Sequence, residues 1–329
     1  MKIIVSLIPV FLFLLLLIYL DSFKLIKIPV VVICVVWGVV SAIIAYFLNT
    51  EIIESTSLNL QDYSKYFAPI VEEILKMLIV IIIVRMNKIG FMIDGAIYGF
   101  AIGAGFAFLE NIFYINTNEV NNLMVWVVRG FGTAIMHGGA TAIVVIFAMS
   151  LINQNKYKFY LFIPGLVFAI ILHALFNQFL LTPIISTLIV LIAVPLSIIL
   201  IFQKNEKSLQ NWLEVEFDSE VKLLSMIKKG KFAKTKTGEF LLSIKNRFEK
   251  EVVFDMYCYI SLYLELSIRA KSNLMLKENG LPIKKDEGLK NKMKELKALQ
   301  QNIGKTGLLA ISPVLRMSKK DLWKLSLLE

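Results

Sequence analysis

The sequence of 329 residues has few charged residues, few cysteines and few histidines. Charged residues make up 18% of the chain, against about 25% in an average soluble protein, while hydrophobic residues make up 57%. A soluble globular protein cannot bury so large an apolar fraction, so the composition excludes an ordinary soluble enzyme and a disordered chain. The two cysteines, Cys34 and Cys258, are too few for a disulfide scaffold or, by themselves, for a zinc site.

The net charge of +10 is concentrated in one part of the chain. Residues 203–329 contain 22 Lys and 3 Arg against 16 acidic residues, which is a net charge of +9, and residues 1–202 carry the remaining +1. The sequence therefore predicts two domains: a nearly neutral hydrophobic domain at residues 1–202 and a basic domain at residues 203–329.

The hydrophobic domain contains apolar runs that are long enough to cross a bilayer as helices, which requires about 17–25 residues each. We identify seven such runs: Ile3–Leu20, Pro29–Leu48, Tyr66–Val84, Phe91–Ile115, Trp126–Leu151, Phe159–Leu181 and Pro183–Phe202. Basic loop residues remain on the cytoplasmic side of a membrane, and Lys27, Arg85 and Lys158 follow the first, third and fifth runs. The sequence thus predicts an all-α integral membrane protein, a polytopic helix bundle. Its N-terminus is expected outside, and a small, mostly helical C-terminal domain in the cytoplasm.

Ionisable side chains inside membrane helices are energetically costly and therefore indicate functional sites. Seven polar candidates lie on four of the runs: Glu72, Glu73 and Lys76 on the third, Glu110 on the fourth, His137 on the fifth, and His173 and Asn177 on the sixth. His137 and His173 are the only histidines in the chain. Glu72 and Lys76 are spaced to form an ion pair on one helix face.

The predicted orientation places these candidates at a similar depth in the membrane. At ~1.5 Å of rise per residue, each lies within about 15 Å of the outer edge. The fourth run also repeats glycine every four residues, at Gly95, Gly99 and Gly103, a pattern that lets membrane helices approach closely. We therefore expect the candidates to converge on one site near the outer leaflet. Arg129, near the outer end of the fifth run, is expected to snorkel outward.

Carboxylates and imidazoles at one site are suited to hydrolysis. A carboxylate can act as a general base on water, whereas two imidazoles and a carboxylate can bind a zinc ion that activates water. In the second case the metal ligands are predicted to be Glu110, His137 and His173. Intramembrane carboxylates and histidines also occur in proton-coupled transporters, although this sequence shows no clear internal repeat of the kind expected there. Hydrolysis is the first hypothesis and proton-coupled transport is the alternative.

Four motifs resemble the successive motifs of the PrsW intramembrane proteases: Glu72-Glu73-x-x-Lys76, Phe106-x-x-x-Glu110-Asn111, His137 and His173-x-x-x-Asn177. These proteases belong with the CAAX prenyl-protease superfamily, whose prenyl proteases show histidine where Glu110 stands. The resemblance covers about residues 60–180. It implies cleavage of a membrane-anchored protein of the anti-sigma-factor type in a bacterial-type cell membrane. It further implies that Glu72, Glu73 and His173 are required, by a metal-dependent or a glutamate-activated-water mechanism.

The basic domain is predicted to be a small helical bundle. Apolar residues recur at helical spacing over Phe240–Lys271, and Leu289–Asn302 is a Lys-rich amphipathic segment. Five lysines are clustered before these segments: Lys228, Lys229, Lys231, Lys234 and Lys236. Basic clusters beside a membrane bind anionic lipids, and the chain has no nucleic-acid recognition motif. We expect the cluster to contact the inner leaflet and the domain to regulate the enzyme.

Overall fold

The structure is a computed structural model that describes the chain except residues 22–25, 57, 87, 118–121, 155–157, 179, 279–280, 283–287, 313–314 and 316–329. The described residues form helices and no β-strand, which confirms the predicted all-α fold. The α-helices in chain order are α1 (Lys2–Tyr19), α2 (Ile28–Ser55), α3 (Leu60–Tyr66), α4 (Ala68–Arg85), α5 (Met92–Thr117), α6 (Leu123–Val127), α7 (Ala134–Gln154), α8 (Ile163–Gln178), α9 (Pro183–Lys228), α10 (Lys236–Ile244), α11 (Lys250–Glu278) and α12 (Leu289–Ile311). A π-helical turn at Val128–Thr133 joins α6 to α7.

The chain divides into two compact units, Met1–Asn205 and Glu206–Glu329. In the first unit, six segments of the described chain are long and apolar enough to cross a membrane. These segments are Lys2–Tyr19, Ile28–Ser55, Met92–Thr117, Leu123–Ile152, Phe159–Gln178 and Pro183–Ile201. They correspond to six of the seven predicted runs.

The remaining predicted run, Tyr66–Val84, is folded as α4 but does not qualify as a span by composition. This helix of 18 residues carries Glu72, Glu73, Lys76 and Arg85, and such charges are costly in the bilayer core. The predicted count of seven spans is therefore not confirmed, whereas the polytopic helical architecture is.

Glycines on α5 allow this helix to pack directly on the backbone of α7. A Cβ atom on Gly103 would lie 2.2 Å from the carbonyl oxygen of His137, and one on Gly99 would lie 2.7 Å from Cα of Ala142. Helices approach this closely only where the side chain is a hydrogen atom. The close packing brings the ring of Phe106 to 5.0 Å from the ring of His137, and so brings α5 and α7 together at the candidate site.

The second unit has a helical core of its own. Buried residues of α11, among them Met256, Tyr259 and Tyr263, form one hydrophobic cluster with Leu296 and Ile303 of α12. The predicted helical stretch Phe240–Lys271 is divided in the structure, because α10 ends at Ile244 and α11 begins at Lys250. The predicted amphipathic segment is α12.

One buried ion cluster links two helices within the second unit. The side chain of Lys271 on α11 is fully buried, and its Nζ lies 3.1 Å from a carboxylate oxygen of each of Glu216 and Glu220 on α9. Glu220 also accepts a hydrogen bond from Ser267 Oγ at 2.6 Å. A buried ammonium needs such compensation, so this cluster holds the end of α9 against α11.

Candidate active site

Six of the seven predicted site residues converge in the first unit. Four helices contribute them: Glu72, Glu73 and Lys76 come from α4, Glu110 from α5, His137 from α7 and His173 from α8. Glu73, Lys76, His137 and His173 are buried, whereas the side chains of Glu72 and Glu110 are 15% and 26% exposed. Glu72 and Glu110 are therefore the two carboxylates that a water molecule can reach.

A single oxygen of Glu73 is shared by two partners. Oε1 lies 2.6 Å from Nζ of Lys76 and 2.9 Å from Nδ1 of His173. The prediction that Lys76 pairs with Glu72 is thus wrong. Glu73 and Lys76 are three residues apart, which is also a favourable spacing for an ion pair on a helix. Burial explains the choice, because Lys76 is fully buried and Glu73 is the neighbouring carboxylate that is buried with it.

Glu73 sets the orientation of His173. An ionised carboxylate only accepts hydrogen bonds, so the ring proton of His173 is assigned to Nδ1 and Nε2 keeps its lone pair. Nε2 lies 3.8 Å from Oε2 of Glu72. A histidine that donates one N–H to a carboxylate while its other nitrogen is free has the usual arrangement of a metal-binding histidine.

Both ring nitrogens of His137 have partners. Nδ1 lies 2.9 Å from Nζ of Lys76, and Nε2 lies 2.9 Å from Oε2 of Glu110. The rings of His137 and His173 meet edge to face, with their centroids 4.7 Å apart. The two histidines of the chain are therefore in direct contact inside the helix bundle.

Arg129 lies in the π-helical turn and faces the site. Its Nη2 is 3.1 Å from Oε1 of Glu110, its Nε donates to Oδ1 of Asn111 at 2.9 Å, and its guanidinium lies 3.5 Å from the ring centroid of Tyr114. The prediction that Arg129 snorkels outward is therefore wrong. A carboxylate, an amide and an aromatic face are all within reach of its planar guanidinium.

Two residues near the site were not singled out from the sequence. Nδ2 of Asn49 on α2 lies 3.5 Å from Oε1 of Glu72, and the hydroxyl of Tyr63 on α3 donates to Oδ1 of Asn49 at 2.9 Å. The sequence marks Asn49 only as an amide at the outer end of the apolar run Pro29–Leu48. Asn177, by contrast, was predicted as a site residue, and its Nδ2 donates to the backbone carbonyl of Ser64 at 3.0 Å. Asn177 thus ties α8 to α3.

The cluster contains a donor set that fits a metal ion. Glu72, His137 and His173 each offer one ligand atom, and these three atoms all lie within 4.8 Å of one another. Two imidazoles and one carboxylate are common ligands of catalytic zinc, which keeps a fourth position open. In this group Glu72 stands where the sequence predicts Glu110, and Glu110 itself pairs with Arg129 and His137.

All the residues of this cluster lie in the part of the chain that matches a known protein family. The family model described as PrsW family intramembrane metalloprotease matches residues 27–201, more than half of the chain. The chain belongs to the PrsW family. It is therefore an integral membrane peptidase, and the alternative of a proton-coupled transporter is not favoured. No curated protein and no solved structure matches the chain.

Proposed function

We propose that this PrsW-family protease hydrolyses a peptide bond of a membrane-anchored protein, near the outer leaflet. The observation that carries the proposal is the convergence of two buried histidines and two partly exposed carboxylates from four helices. Buried groups orient the site, and the exposed ones give water and a substrate backbone access to it. The depth near the outer leaflet is inferred from the loop charges.

Glu72, His137 and His173 are the proposed ligands of the metal ion, for which the donor set favours zinc. When bound, zinc supplies an activated water and polarises the scissile carbonyl. Glu73 is a positioning residue in this proposal, because its Oε1 is engaged by Lys76 and His173. It acts by holding the imidazole of His173 in the orientation that binding requires.

Glu110 is the proposed general base. It is the more exposed of the two accessible carboxylates, and Arg129 engages its Oε1 while Oε2 is directed at Nε2 of His137. Oε2 is thus the oxygen placed to accept a proton at the centre of the cluster. The variant of the mechanism in which glutamates alone activate water would use the same two exposed carboxylates, and removal of metal separates the two mechanisms.

We further propose that cleavage serves regulated signalling, with a membrane-anchored regulator of the anti-sigma-factor type as substrate. Residues 203–329, the basic domain, are proposed to form a cytoplasmic regulatory domain. The net positive charge of this segment and the separate core of α11 and α12 support the proposal. The five clustered lysines, Lys228, Lys229, Lys231, Lys234 and Lys236, are all exposed. We propose that they bind anionic lipids of the inner leaflet, at about 1 kcal/mol for each basic residue near the surface.

The proposed function is tested with the full chain in lipid vesicles that also contain single-span membrane proteins. Gel analysis of these proteins is expected to show cleavage products that disappear when a chelator is added and reappear when zinc is restored. Elemental analysis of the purified protein is expected to show about one zinc per chain, which is lost in the His173→Ala variant. Cleavage that continues in a metal-free chain would favour glutamate-activated water, and the absence of any cleavage by the zinc-loaded chain would contradict the proposed function.

A further inference from the structure

Lys76 occupies a position that makes it a competitor for one of the proposed metal ligands. Its Nζ is fully buried between Oε1 of Glu73 at 2.6 Å and Nδ1 of His137 at 2.9 Å. A lysine ammonium has three N–H donors and no acceptor. The contact with His137 therefore requires Nδ1 to be an acceptor, so the ring proton lies on Nε2 and is donated to Glu110 at 2.9 Å.

The two histidines consequently hold opposite tautomers. His173 carries its proton on Nδ1, where Glu73 accepts it at 2.9 Å, and its Nε2 lone pair is free to bind a metal. His137 carries its proton on Nε2, and its one lone pair, on Nδ1, is already used by Lys76. His173 is thus ready to bind a metal ion, and His137 is not.

Either way of attaching a metal ion to His137 breaks the contact with Lys76. If Nδ1 were the ligand atom, the lone pair to which Lys76 donates would no longer be available. If Nε2 were the ligand atom, the ring proton would be on Nδ1, where the N–H of the ring and the ammonium would face each other as two donors at 2.9 Å. The conclusion does not depend on which nitrogen binds the metal.

We propose that Lys76 is a positioning residue that competes with the metal ion for His137. It holds His137 with its Nε2–H on Glu110, and it would have to withdraw from His137 for that residue to bind a metal ion. This inference rests on the metal site of the proposed function. The structure offers Lys76 a place to withdraw to, because Oε2 of Glu73 is buried and has no hydrogen-bond partner among the described residues.

The charge of Lys76 acts in the same direction as its hydrogen bond. An ammonium in a buried site repels a nearby cation more strongly than it would in water. Removing the ammonium therefore frees the lone pair of His137 and also removes the repulsion. Both effects predict that the chain binds zinc more tightly without Lys76.

The first test measures zinc affinity of the full chain by competition with a chromophoric chelator. Lys76→Met, which keeps a long side chain without charge or donors, is expected to bind zinc about tenfold more tightly or better, the scale on which groups contacting metal ligands alter affinity. Lys65→Met, on α3 outside the cluster, is the matched control and is expected to leave the affinity unchanged. If Lys76→Met binds zinc as tightly as the native chain or more weakly, the competition by Lys76 is overturned and the proposed metal site is not affected. Zinc binding by none of the three chains overturns the proposed metal site, and the competition with it.

The second test needs no variant of Lys76, and it holds even if Lys76→Met does not fold. Because the chain has two histidines, labelling histidine with nitrogen-15 gives only four ring-nitrogen signals in the full chain purified without a histidine tag. The metal-free protein is expected to show one histidine protonated on Nδ1 and the other on Nε2, and zinc is expected to shift the signals of both. Two histidines with the same tautomer in the metal-free protein would overturn the inference.

Discussion

Oε1 of Glu73 lies 2.9 Å from Nδ1 of His173, although the two residues are 100 positions apart in the chain. The same oxygen is 2.6 Å from Nζ of Lys76. One buried carboxylate therefore orients a histidine of α8 and balances the charge of a lysine on its own helix. Its partner in the sequence motif, Glu72, faces a different environment and is partly exposed. The two adjacent glutamates thus have different partners and different exposure to solvent.

Replacing Glu73 by Gln is expected to weaken zinc binding about 10- to 100-fold, because His173 loses the carboxylate that fixes its orientation and enhances its basicity. The measurement is chelator competition on the purified full chain. Glu51→Gln, at an exposed position on α2, is the matched control and is expected to bind zinc as the native chain does. An unaltered affinity in Glu73→Gln would show that Glu73 does not act through His173.

Glu110→Gln and Glu72→Gln are expected to separate catalysis from metal binding. Glu110→Gln should retain zinc and lower the cleavage rate about 10²- to 10⁴-fold, the usual contribution of a general base. Glu72→Gln should lose zinc as well as activity, since an amide is a weaker ligand than a carboxylate. The checks are elemental analysis and the vesicle cleavage assay on both chains. If Glu110→Gln loses zinc and Glu72→Gln retains it, the ligands are Glu110, His137 and His173.

Gly103→Ala is expected to destabilise the packing of α5 on α7 by about 1–3 kcal/mol. The added Cβ would lie 2.2 Å from the backbone carbonyl oxygen of His137, which cannot move without shifting α7. Gly95→Ala is the comparison, because its Cβ would meet a side-chain atom, Cγ1 of Val145 at 2.7 Å, and not the backbone of α7. Unfolding in mixed micelles measures both free energies, and equal losses in the two variants would contradict the backbone contact.

Arg129→Met is expected to lower the free energy of unfolding by about 1–3 kcal/mol, because Asn111 loses a hydrogen-bond donor and Glu110 loses its ion-pair partner. Arg129→Lys should recover little of this loss, since a lysine cannot pair with both groups and stack on Tyr114. Arg247→Met, at an exposed arginine of the second unit, is the control. Full rescue by lysine would mean that charge alone accounts for the contribution of Arg129.

The five clustered lysines are expected to react more slowly with a lysine-modifying reagent when the full chain is placed in nanodiscs of anionic rather than zwitterionic lipid. Lipid headgroups would shield Lys228, Lys229, Lys231, Lys234 and Lys236 by charge pairing. Lys245 and Lys250, which are also exposed, serve as internal controls whose reactivity should not depend on the lipid. Mass spectrometry after proteolysis measures each site. Equal reactivity of the cluster in both lipids would argue against inner-leaflet binding.

The sequence by itself determined that this is an all-α membrane protein and supplied six of the residues that meet at the site. Both follow from properties that are local in the chain. The length of an apolar run decides whether a helix can span a bilayer, and the cost of burying charge makes every intramembrane Glu, Lys or His conspicuous.

Only the tertiary structure decided which of these residues are partners. Lys76 pairs with Glu73 instead of Glu72, Arg129 turns to Glu110, and Glu72 lies with the two histidines in the group that could hold a metal ion. Periodicity places a residue on a helix face, but it does not show which faces of different helices meet. That depends on the close approach of α5 and α7 through Gly103 and on the burial of each carboxylate, which are properties of the packed bundle.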